Sequence, residues 1–63
     1  MTKEQRIKKM QRMQGSTGLN VANFAKKMGV SARTVYAWYN GQNSITNMAL
    51  VLAAYVVKEV KGV

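Results

Sequence analysis

Residues 21–40 read VANFAKKMGVSARTVYAWYN, and two short helical patterns stand on either side of Gly29-Val30-Ser31. Apolar or small residues fall at Phe24, Ala25, Met28, Val30, Val35 and Trp38. That spacing lets two short helices pack at a steep angle across a turn of three or four residues. Ala25 is small where the helices would cross most closely. Gly29 can take the left-handed conformation that ends the first helix. Ser31 can then cap the second with its hydroxyl.

Outward from this pair, caps and glycines mark the remaining helices. Thr2 followed by Gln5 is a capping-box pattern, and it opens a helix expected to run to about Gln14. Ile7, Met10 and Met13 form its apolar stripe, with Gly15 and Gly18 to end it. Asn20 caps a second helix over residues 21–28, and Ser31 a third that runs to Asn40 and stops at Gly41. Ser44 is expected to cap a fourth, from Ile45 to about Val60. The expectation is an all-α, compact four-helix domain, one unit over residues 1–63, with the short pair at its centre.

The fourth helix is apolar nearly all round. Ile45, Met48, Ala49, Leu52 and Val56 share one face, which suits the domain core. Leu50, Ala53, Ala54 and Val57 form a second stripe beside it, expected to pair with another copy of the chain. A helix merely rich in Leu, Val and Ala, leaving some apolar surface in water, is the plainer reading.

Composition narrows the function. Sixty-three residues permit one small core, and a chain this short buries only about 60 % of its unfolded surface. Dimerisation is a common remedy. There is no cysteine to form disulfides and no histidine for zinc or iron, so neither a metal nor any other cofactor is expected. Ten Lys or Arg stand against Glu4 and Glu59, a net charge of +8. Such a balance bears on partners rather than fold: nucleic acid first, an anionic membrane surface second. With no His, Cys or Asp, and two glutamates at opposite ends, no acid–base pair can be assembled, and an enzyme is not expected. No apolar run follows the basic N-terminus, and the apolar stretch from Ile45 to Val57 is shorter than the roughly 20 residues that span a bilayer. A cytoplasmic location and no membrane partner follow as expectations.

In the third helix, Val35, Trp38 and part of Tyr39 point inward under this pattern, which leaves Arg33, Tyr36, Ala37 and Asn40 on the opposite face. Arg33 can pair bidentately with guanine, Asn40 with adenine or a phosphate, and Tyr36 and Ala37 can meet a thymine methyl. Ser31 and Ala32 sit at the helix N-terminus, the end that points at base edges in such complexes. Phosphate contacts are expected from Asn20 and the free N–H groups of the second helix, from Lys26 and Lys27, and from Asn43 and Ser44. Each has a plainer alternative: a solvated arginine, a tyrosine packed on the first helix, an asparagine settling its own helix end. Arg6, Lys8, Lys9 and Arg12 make the first helix basic, either as long-range attraction for a polyanion or as a solvated face.

Residues 10–57 resemble the helix-turn-helix domain of lambdoid repressors and Cro proteins. The resemblance rests on Gly18-Leu19-Asn20, Phe24-Ala25, Met28-Gly29-Val30-Ser31, Val35, Trp38 and Asn40-Gly41. It implies base reading by Ser31, Ala32, Arg33, Tyr36 and Ala37, with variable use of Asn40. It also implies a homodimer on a palindromic operator in a bacterial or phage-infected cell, repressing by occupying a promoter, with no small-molecule ligand. Two departures stand out. Val21 replaces a glutamine that often bonds a phosphate, and Asn43-Ser44 replaces a proline before the fourth helix. The alternatives are a DNA-architectural or excisionase-like accessory protein, and a cationic membrane-active peptide.

Overall fold

Each helix opens on a side-chain oxygen that accepts a backbone N–H three residues on. In the computed structural model, which describes residues 1–62, these are Thr2 Oγ1 from Gln5 (3.1 Å), Asn20 Oδ1 from Asn23 (2.8 Å), Ser31 Oγ from Thr34 (3.2 Å) and Thr46 Oγ1 from Ala49 (3.1 Å). Each bond satisfies one of the donors that a helix start leaves free. The helices are α1 Lys3–Thr17, α2 Val21–Met28, α3 Ala32–Tyr39 and α4 Asn47–Lys61. The chain is all-α, with no strand among the described residues.

Helix α3 ends at Tyr39 with Asn40 as its C-cap, one residue short of the sequence expectation, and two other boundaries differ by more. Glycine at position 15 weakens α1 without ending it, because a glycine stops a helix only where the chain turns left-handed. That happens at Gly18, with φ 72°, and α1 therefore gains a turn. The cap of α4 is Thr46, not Ser44. With Ser44 as cap, Ile45 would be the first helical residue. With Thr46 as cap, Ile45 lies just outside the helix and turns into the core, at 3 % exposure, in the position of a hydrophobic staple.

The core joins Met10 of α1, Phe24, Ala25 and Met28 of α2, Val35 and Trp38 of α3, and Ile45, Ala49, Ala53 and Val56 around α4. Met10, Phe24 and Val35 are fully enclosed. The contact of α1 with α4 is the most extensive, and α2 packs chiefly on α3. Helices of this length approach closest where side chains are small, and Ala49 and Ala53 are turned inward. This corrects the expected faces of α4. Ala53, assigned to a dimer surface, is fully buried in the core. Met48 and Leu52, assigned to the core, are exposed. Leu50 packs against the core from its edge, Val57 is half-buried, and Ala54 is exposed. The expected dimer stripe of Leu50, Ala53, Ala54 and Val57 is therefore not an outward face.

Candidate nucleic-acid interface

Residues 29–31 turn the chain from α2 into α3. Gly29 has φ 83°, and its N–H bonds the Lys26 carbonyl at 3.2 Å while that of Val30 reaches Ala25 at 3.0 Å. These bonds close the end of α2 and set the start of α3. Val35 and Trp38 then anchor α3 in the core. What remains outward is Arg33, Tyr36 and Asn40, all exposed, Tyr36 at 55 %. They lie three, four and seven residues apart, so one line of side chains runs along the helix.

Three expected base-reading residues sit differently. Ala37 is buried, at 8 % exposure. The chain after α3 folds back on it, and the N–H groups of Gln42 and Asn43 both donate to the Ala37 carbonyl, at 2.9 and 3.3 Å. Ala37 therefore supports the loop and does not face outward, which corrects that assignment. Ala32 is half-buried against the core. Ser31 is exposed, but its hydroxyl already serves the α3 cap and lies 2.9 Å from Thr34 Oγ1. Thr34 was not singled out from the sequence. Its spacing of three from Ser31 on one helix is the signal that places the two hydroxyls together.

The expected phosphate donors are also distributed unevenly. Asn20 is exposed; its carbonyl oxygen caps α2, which leaves the amide N–H groups to donate outward. Lys26 is exposed. Lys27 points to the seam between α2 and α4, 3.6 Å from Glu59, so it already has an anionic partner, though an exposed pair of this kind is weak. Asn43 and Ser44 are exposed in the loop between α3 and α4.

Two α1 residues brace that loop. Lys3 donates to the Gly41 carbonyl, and Arg6 donates to the Ile45 carbonyl at 3.0 Å and to Asn47 Oδ1 at 2.7 Å. Nothing in the sequence signals these contacts, because 38 to 41 residues separate the partners. On the other side, Tyr39 of α3 donates to Gln14 Oε1 of α1 at 2.6 Å, and Gln14 Nε2 donates to the Leu19 carbonyl at 3.2 Å. Burial of Tyr39 pushes its phenol up to about 12, so it stays a donor.

No family model matches this chain, and no curated protein or solved structure matches it significantly. Among the described residues no His, Cys, Asp or Glu cluster could hold a metal ion, and no helix is long and apolar enough to cross a membrane.

Proposed function

We propose that this chain is a sequence-specific double-stranded DNA-binding protein that presents α3 to the major groove, a Cro-type repressor acting as a homodimer on a palindromic operator. The observation that carries the reading is the outward line of Arg33, Tyr36 and Asn40 on a helix whose other side is locked into the core. An arginine in such a place can donate two bonds to one guanine. Around it stand exposed donors suited to phosphates: the Asn20 amide, Lys26, and the loop at Asn43 and Ser44. A net charge of +8 supplies the sequence-independent attraction.

One observation favours a second reading, that of a DNA-architectural or recombination accessory protein. With Ala37 buried and Ala32 half-buried, α3 offers few polar groups to base edges. Binding would then lean on DNA shape and deformability.

Selection from a random duplex library at near-physiological salt separates the two. The repressor reading expects a palindrome with half-sites about 34 Å apart, one turn of DNA. Binding without a recovered sequence selects the architectural reading. No binding to duplex DNA overturns both, and binding to anionic vesicles in its place would leave the membrane-active reading.

A further inference from the structure

We propose that Gln14 is a positioning residue for DNA recognition: its one amide holds the approach to α2 and the end of α3 at a fixed spacing, and so sets the register between phosphate contact and base contact. This role rests on the DNA half of the reading above and not on its dimeric half. Gln14 itself lies half-buried on α1, outside the set of residues offered to DNA.

The two bonds of the amide end beside the two asparagines of the interface. Nε2 donates to the Leu19 carbonyl at 3.2 Å, and Oε1 accepts the Tyr39 hydroxyl at 2.6 Å. Asn20 follows Leu19 in the chain, and Asn40 follows Tyr39. Asn20 is the exposed α2 cap with its amide N–H groups free for a phosphate, and Asn40 closes the outward line of α3. Leu19 is held from its other side as well. Its N–H donates to Thr17 Oγ1 at 3.1 Å, and that hydroxyl donates to the Gln14 carbonyl at 2.6 Å. Both backbone polar groups of Leu19 are thus taken by side chains of α1. The amide has one workable orientation, because the Leu19 carbonyl can only accept and must face Nε2.

Helix α3 has eight residues, about 12 Å at the usual rise. The turn at residues 29–31 fixes its start, and Val35 and Trp38 hold its inner side in the core. Tyr39 fixes its last turn against α1. A swing of that turn would move Tyr36 and Asn40 relative to Asn20. Base reading tolerates little of this, since a recognition site must be held to within about 0.5 Å. A helix that has to be ordered on binding loses affinity in the ordering, and only the sequence-specific complex requires that order. Binding to random duplex draws on the net charge of +8 and needs no register.

The quantity to measure is discrimination, the ratio of affinities for the selected sequence and for random duplex, by fluorescence anisotropy at one salt concentration. Partial unfolding lowers both affinities by the same factor and leaves the ratio unmoved, so the ratio separates positioning from stability alone. Gln14→Met keeps the length and helix preference of the side chain and removes both bonds. It is expected to lower discrimination about tenfold, with affinity for random duplex within about twofold of wild type. Tyr39→Phe cuts only the α3 tie and should lower discrimination less, and adding it to Gln14→Met should change nothing further.

Hydrogen exchange without DNA gives an independent readout. In Gln14→Met the N–H groups of Asn23 and Asn40, bonded to Asn20 Oδ1 and the Tyr36 carbonyl, should exchange faster relative to those of Ala53 and Val56. Discrimination kept at the wild-type value in Gln14→Met overturns this role and leaves the DNA reading intact. Unchanged exchange at both amides, or effects of the two variants that multiply, overturns it equally. A wild type that binds duplex without preference sinks sequence-specific reading and the role of Gln14 in it together, and faster exchange in Gln14→Met would then identify a structural tie only.

Discussion

Tyr39 and Gln14 are 25 residues apart, and the tyrosine hydroxyl donates to the glutamine Oε1 at 2.6 Å. The same glutamine donates through Nε2 to the Leu19 carbonyl at 3.2 Å. One side chain of α1 thus holds both the end of α3 and the approach to α2. The two helices of the candidate interface are fixed to α1 by this amide as well as by the core. Lys3 and Arg6 do the same for the loop after α3.

Removing the hydroxyl tests that tie. Tyr39→Phe is expected to cost about 0.5–1.5 kcal/mol of stability near neutral pH. The folded phenol titrates at about 12 against 10.0 for an unperturbed one, because burial disfavours its charged form. The folded state therefore keeps its proton where the unfolded state loses it. This contribution is complete below pH 10 and is lost as pH rises through 12. Thermal melts at pH 9 and pH 11.5 should show the gap between wild type and Tyr39→Phe narrowing at the higher pH; a constant gap would mean that Tyr39 does not titrate in this way.

The start of α4 offers a direct comparison. Thr46→Ala removes the oxygen that accepts the Ala49 N–H and is expected to cost about 1 kcal/mol. Ser44→Ala should leave stability within about 0.5 kcal/mol of wild type, as exposed substitutions away from caps do. Urea unfolding of the two variants decides which residue is the cap, and an equal loss at both would contradict the structure.

Ala37 separates a supporting role from a reading one. Ala37→Leu forces bulk beneath the returning loop and is expected to cost about 1–3 kcal/mol. A variant with unchanged stability and altered DNA preference would put Ala37 back on the outer face.

Arg33 carries the most weight in the proposed interface. Arg33→Ala is expected to weaken binding to the selected sequence by about 1–3 kcal/mol and to relax preference at one base pair. Equal weakening on selected and random duplex, seen by fluorescence anisotropy, would make Arg33 a phosphate contact. Arg33→Lys keeps the charge but loses the planar fork, so it should recover affinity for random DNA and not the base preference.

Local chemistry carried much of the fold. Thr2, Asn20 and Ser31 were legible as caps because a cap needs only a short side-chain oxygen and a donor three residues on. Gly18 and Gly29 were legible as stops, and Phe24, Val35 and Trp38 as core, because helical spacing alone puts them on one face. Arg33, Tyr36 and Asn40 emerged as the outward line by the same periodicity. These features depend on neighbours within a turn or two, and the sequence by itself determined them.

The orientation of α4 was decided only by tertiary packing. Its sequence is apolar on nearly every side, so periodicity cannot say which stripe faces inward. Packing of α4 on α1 and α2 left Ala49 and Ala53 buried and Met48, Leu52 and Tyr55 outward. The cap fell on Thr46 and not on Ser44, which leaves Ile45 just before the helix and buried in the core. Ala37 was enclosed by a loop that returns after Gly41, and the braces from Lys3, Arg6 and Gln14 join residues far apart in the chain. Such contacts leave no periodic trace, because they depend on where whole helices come to rest against one another.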